Sequence, residues 1–226
     1  MKRTLFHWPL DPGSREVRLA LGEKRLSFTA FALQMPNDTE KLSKLNPSGR
    51  PPVLQEGGAQ DLRTICESRA ILEYLEETNT TNALMPNEPI KRAEVRRLMS
   101  WFGDKFQSEV LGLLLYERVE KPVLGLGAPD ASNMRHGKQY LRWHLKMLEE
   151  LIAERNWLAG DELTLADISA SAALSCLDYF GDVPFEEFPL VKSWYVRLKS
   201  RPSFRPILQD NFPGFTAAAH YADLDF

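Results

Sequence analysis

The stretch Asn46-Pro47-Ser48-Gly49-Arg50-Pro51-Pro52-Val53-Leu54, followed by Cys66-Glu67-Ser68-Arg69-Ala70-Ile71-Leu72-Glu73-Tyr74-Leu75, decides the fold. Its first half is a loop of Asn, Pro, Ser and Gly that runs through paired prolines into an apolar strand. Val53 to Gln55 and Leu62 to Ile65 flank Gly57-Gly58, a hairpin pattern. From Glu67 to Thr78, Ile71, Tyr74 and Leu75 then recur at helical spacing.

Working outward, Thr4 to Trp8 is a short strand closed by Pro9, and Asp11-Pro12-Gly13-Ser14 marks a helix entry. Val17, Ala20 and Leu21 give the following segment a helical stripe. Phe28 to Leu33 reads as a second strand, and Asp38 begins a short helix that ends near Leu45. The order is βαβ-α-ββα over residues 1–79. A linker rich in Asn, Thr and Pro covers 80–90, and beyond it the pattern is helical only. Val95, Met99, Phe102, Phe106 and Val110 step by three or four, as do Leu141, Leu145, Leu148 and Ile152. Leu165, Ile168, Ala172, Cys176 and Tyr179 follow the same rule, and so do Val191, Trp194 and Leu198. This predicts an all-helical second domain over 91–208 and a separate tail over 209–226, with no helix beyond about Gln209.

Composition narrows the function classes. Among 226 residues, 28 basic and 31 acidic side chains leave a net charge of −3, without the basic surplus that nucleic acid requires. No stretch approaches the ~20 apolar residues of a membrane span, and the N-terminus has no signal-peptide pattern. Cys66 and Cys176 each lie in an apolar run and read as structural thiols. The four histidines are scattered, so no metal is expected.

The motifs at 46–54 and 66–75, with Trp157-Leu158-Ala159-Gly160 and Thr164-Leu165-Ala166-Asp167, resemble the cytosolic glutathione transferases from Thr4 to about Arg205. The resemblance implies an α/β plus all-α architecture: an N-terminal thioredoxin-like domain followed by a C-terminal helical-bundle domain. It marks Pro52 as the family's cis-proline, with Pro51 before it and Val53 after it. It also marks Glu67-Ser68 as a helix start able to hold a carboxylate. Thr164 and Asp167 read as a capping box that serves folding.

The departures bear on chemistry. The positions matching the family's catalytic Ser or Cys are Asp11, Pro12 and Gly13, and none carries a hydroxyl or thiol. A carboxylate ~4 Å from a thiolate, at an effective dielectric near 20, opposes ionisation by about 4 kcal/mol. At ~1.4 kcal/mol per pKa unit, the thiol would stay protonated. Ser14 reads as a helix cap, not as a catalytic hydroxyl. Pro51 has no N–H to donate to a bound peptide, and an unmade buried bond costs roughly 1–3 kcal/mol. The expectation is a vestigial glutathione site (Asp11, Ser14, Pro51, Pro52, Val53, Glu67, Ser68), with no cofactor and no conjugating activity.

The tail holds Phe212, Phe215, Tyr221 and Phe226 with Asp223 and Asp225 near its end. Composition alone leaves two readings open, a tail docked on its own domain and an acidic-aromatic recognition segment. A closer resemblance rests on TLFHWPLDPGSREVRLALGEK, ICESRAILE, DYFGDVPFEEF, LKSRPSFRPIL and AAAHYADLDF. These look like the glutathione-transferase-like division proteins of alphaproteobacteria, which bind the tubulin-like protein FtsZ. That resemblance implies a cytoplasmic homodimer at the division site that curves and bundles FtsZ filaments. Partner contact is expected at His220, Tyr221, Asp223, Leu224, Asp225 and Phe226. A helix face with Glu117, Arg118 and Glu120 is a further candidate, for which a solvated helix surface is the favoured reading.

Overall fold

Thr4, Leu5 and Phe6 near the N-terminus form the middle of an inner strand of a four-stranded sheet. In the computed structural model, which describes residues 2–224, β1 (Arg3–His7) pairs parallel with β2 (Thr29–Ala32) and antiparallel with β3 (Val53–Glu56). β4 (Arg63–Cys66) adds antiparallel to β3, giving the order β2-β1-β3-β4. Leu5 faces Leu54 across β1 and β3, and both are fully buried. Helices α1 (Pro12–Glu23), α2 (Thr39–Leu45) and α3 (Ser68–Thr78) complete a thioredoxin-like domain.

The second domain is all-helical. A continuous helix α4 spans 89–123 and winds as a π-helix over Trp101–Leu111 and again over Tyr116–Glu120. The stepping of Phe102, Phe106 and Val110 predicted a plain α-helix here. The wider winding holds Phe102 and Phe106 in the core while Gly103 and Gln107 face the interdomain cleft, the kind of place where π segments concentrate. Then come α5 (Ala131–Glu154), α6 (Leu165–Asp178), α7 (Pro189–Lys199) and the short α8 (Arg205–Leu208).

α6 is buried along its whole length, and α1 packs on it. One apolar core runs from Leu5 and Val17 through Phe106, Leu174 and Trp194, so the two domains share it. The start of α6 has the expected capping box. Asp167 accepts from the backbone N–H of Thr164 at 3.0 Å, from Leu158 N–H at 2.9 Å and from Trp194 Nε1–H at 2.9 Å. No helix among the described residues is long and apolar enough to cross a membrane.

The tail folds back. Phe212 and Tyr221 join Leu10, Val119 and Tyr179 in a second cluster, and Trp8 meets Phe212 edge-on at 5.5 Å. The Ala218 N–H donates to the Tyr179 carbonyl at 2.8 Å, and the Tyr221 hydroxyl donates to the Ile207 carbonyl at 3.3 Å. Tyr221 is 1% exposed, which corrects the expectation that it faces a partner. Its ring is worth more buried against Tyr179 and Arg15 than in water. His220 is engaged with Asp178, whereas Asp223 and Leu224 are exposed. Asp225 and Phe226 lie outside the described residues.

The α4 face is corrected as well. Glu117 is not solvated: it accepts from Asn133 Nδ2 at 2.8 Å and from the Asp130 N–H at 2.7 Å, and it pairs with Lys121 at 2.9 Å. Arg118 pairs with Asp182 at 2.7 Å, while Glu120 is exposed. Glu117 thus ties α4 to the start of α5, and Arg118 ties it to the loop at Asp182.

Candidate functional site

The interdomain cleft is built from three backbone features. The first is the entrance to α1. Asp11 has extended backbone, and its carboxylate accepts from the Ser14 N–H at 2.6 Å, so Asp11 is the N-cap. This corrects the assignment of the cap to Ser14. The Ser14 hydroxyl is fully buried and accepts from the Trp8 N–H at 3.1 Å. Asp11 wins the cap because it stands at the turn preceding Pro12 at N1, where its side chain reaches the free N–H groups.

The second feature is the Pro51-Pro52 peptide, which is cis and leads directly into β3. Val53 is fully buried on that strand. The third is the start of α3. Glu67 has φ 69°, in the left-handed region that non-glycine residues avoid at a cost on the order of 1 kcal/mol. Its carboxylate accepts from Ser48 Oγ at 2.8 Å and from Asn46 Nδ2 at 3.2 Å, which hold it against that strain. Gly13 lets α1 approach, because a Cβ there would lie 3.2 Å from Ser68 Oγ and 3.4 Å from Pro52 Cδ.

Between these features lies a cleft of about 200 Å³, walled on the far side by Phe102, Gln107, Ser169 and Ala173 of the helical domain. Asp11, Pro51, Pro52, Glu67 and Ser68 line it together, whereas Ser14 and Val53 are buried behind it. Larger hollows exist elsewhere, but they lie away from the α1 entrance and from the start of α3.

Three carboxyl groups, Asp11, Glu16 and Glu67, line the cleft together with Arg50. Burial pushes the Asp11 carboxyl up to about 6, against the hydroxyl and amide of Ser14. Burial likewise pushes Glu16 up to about 6, against the hydrogen bond from Ser169. Both groups carry charge at neutral pH. A thiol placed at the α1 entrance would meet the Asp11 carboxylate and no free hydroxyl from Ser14. Glu16 and Ser169 were missed in the sequence. Glu16 sits one turn beyond the cap, and Ser169 reaches it from a helix 153 residues away.

Two family models cover the chain: the N-terminal domain of glutathione S-transferase over residues 5–83, and its C-terminal domain over 122–202. The chain belongs to the glutathione S-transferase family. Within it, the chain is 54% identical over 226 residues to FtsZ-localized protein A of Caulobacter vibrioides, covering all of this chain and 99% of that one. The solved structure of FzlA from C. crescentus superposes with a TM-score of 0.97 at 54% identity, with both chains fully covered. A glutathione S-transferase of Rhodospirillum rubrum, 46% identical, superposes with a TM-score of 0.94 over 99% of this chain and 100% of its own. The glutathione S-transferase architecture expected from the Asn46–Leu54 and Cys66–Leu75 motifs is therefore the one observed, cis-proline included.

Proposed function

We propose that this protein is a cell-division factor that binds FtsZ filaments as a homodimer, promotes their curvature and bundling, and does not conjugate glutathione. The carrying observation is the whole-chain likeness to FtsZ-localized protein A, which extends through the tail. The Asp11 carboxylate at the α1 entrance supports the second half, because it opposes a thiolate where that chemistry needs a donor. A cytoplasmic protein at the division site follows from the same reading.

In this reading the partner-facing part of the tail is its end. His220 and Tyr221 anchor the segment, and Asp223, Leu224, Asp225 and Phe226 present it. A two-fold dimer would display two such ends, and bivalency raises avidity on a polymer by ~10²–10⁴.

The test is co-pelleting with polymerised FtsZ. A truncation after Ala222 spares the Tyr221 anchor and should abolish pelleting. Full pelleting by the truncated chain would remove the tail end from the reading, and no pelleting by the full chain would remove the partner.

A glutathione-dependent transferase or isomerase is the second reading, favoured by the 46% identity to the Rhodospirillum enzyme and by the retained Pro52 and Ser68. Calorimetry with millimolar glutathione and a chloronitrobenzene conjugation assay discriminate it.

A further inference from the structure

β2 stands at the edge of the sheet, and β1 is its ladder partner. The Leu33 N–H donates to the His7 carbonyl at 2.8 Å, and the parallel register sets Ala30 beside Leu5 and Ala32 beside His7. In such a ladder, alternate residues of the edge strand turn both backbone groups to the same neighbour. Thr29, Phe31 and Leu33 therefore face β1 with their N–H and C=O groups, while Ala30 and Ala32 turn theirs outward. No described residue hydrogen-bonds to those outward groups.

Sheet edges are usually blunted by charge, proline, a bulge or a covering element, because unpaired backbone recruits another strand. The run Thr29-Ala30-Phe31-Ala32 has no charge and no proline, and all four residues are exposed. Phe31 is 39% exposed and offers an apolar ring, while the small side chains of Ala30 and Ala32 let a second backbone approach.

Charge beside the edge selects what can dock there. The Lys41 ammonium lies 3.6 Å from the centre of the Phe31 ring. Lys2 stands beside Thr4, the register partner of Thr29. Neither lysine forms an ion pair with a described residue. The neighbouring acids are engaged: Glu40 pairs with Lys44 at 2.8 Å, and Asp38 accepts from the Gln34 N–H at 2.7 Å. The unneutralised charge at this edge is positive.

We propose that the outer edge of β2 is a docking site for an extended acidic segment of a partner protein, which adds as a further strand along Ala30 and Ala32 with its carboxylates toward Lys41 and Lys2. Backbone bonds supply the affinity and the lysines supply the choice of charge. The inference goes beyond the proposed function and rests neither on the tail nor on FtsZ.

The probes are two acetylated, amidated heptapeptides, one alternating Asp with Val and the other alternating Lys with Val. Each is titrated into the full chain and followed by fluorescence anisotropy and by amide exchange at Ala30 and Ala32. The acidic peptide should bind at least about tenfold more tightly than the basic one and should slow exchange at both alanines. Ala30→Pro removes an N–H that the sheet does not use, so it should weaken binding at least about tenfold while β1 stays paired. Lys41→Glu leaves the edge backbone intact and should also weaken the acidic peptide, which keeps the test decisive if the proline variant melts early. Equal binding of the two peptides overturns the proposal. So does unchanged exchange at Ala30 and Ala32, or full affinity in both variants. A fall in the mass of the free assembly on Ala30→Pro also overturns it, because a second copy would then occupy the edge.

Discussion

Asp178 Oδ1 lies 3.0 Å from His220 Nε2, which ties the tail to the end of α6. The other oxygen of Asp178 accepts from the Tyr195 hydroxyl at 3.1 Å and pairs with Lys199 Nζ at 3.3 Å. Lys199 in turn donates to the His220 carbonyl at 3.3 Å. Asp178 and Lys199 are both fully buried, so the tail closes over an ion pair that water does not reach.

Replacing Asp178 by Asn should therefore remove the buried carboxylate that pairs with the Lys199 ammonium, at a cost of about 3 kcal/mol. Thermal melting checks the loss. Amide exchange should also quicken at Ala218 and Tyr221, whose N–H groups are bonded in the docked tail. A melting temperature unchanged from wild type would mean that the pair does not hold the tail.

In the proposed reading, Tyr221 anchors the tail and Leu224 presents its end to the partner. Tyr221→Ala removes a fully buried ring and should destabilise by about 3 kcal/mol. Leu224 is 39% exposed, and Leu224→Ala should stay within about 0.5 kcal/mol of wild type while weakening pelleting with FtsZ. Equal effects of the two substitutions on melting would contradict this division.

Asp11 makes stability depend on pH. Its folded pKa of about 6 lies above the ordinary aspartate value of 3.8, so the native state holds its proton more tightly than the unfolded chain. Stability contributed by this group falls as pH rises from about 4 to about 6 and is flat above that. Asp11→Asn keeps a good N-cap without the charge, so it should raise stability at neutral pH by on the order of 1–2 kcal/mol. The gain should shrink below pH 5, and denaturant melts at two pH values measure the difference.

Ser14→Ala tests the role of that hydroxyl. It should lose the bond from the Trp8 N–H and about 1 kcal/mol of stability, with no change in any glutathione turnover. Turnover that depends on Ser14 would return it to the chemistry.

The fold was legible because its motifs are backbone-dictated. Paired prolines before Val53, the Gly57-Gly58 hairpin and the Thr164–Asp167 box each leave a local mark, and counting back from Val17 found Asp11 at the α1 entrance. What stayed hidden depends on long-range packing. Nothing around Glu16 announces Ser169, and Asp178 meets His220 only once the tail has folded back. Composition left Tyr221 open between a docked and a recognition role, and its burial is set by Tyr179 and Ile207, distant in sequence. The competition between Asp11 and Ser14 for the cap is decided by local geometry that residue preference alone does not rank.

The claim that this cleft no longer activates sulfur is tested most directly by the ultraviolet thiolate band of glutathione, titrated across neutral pH with an excess of the protein. With the Asp11 carboxylate in place, the thiol should ionise no more readily than in free glutathione. A full thiolate band at or below neutral pH, present only with the protein, would contradict the account.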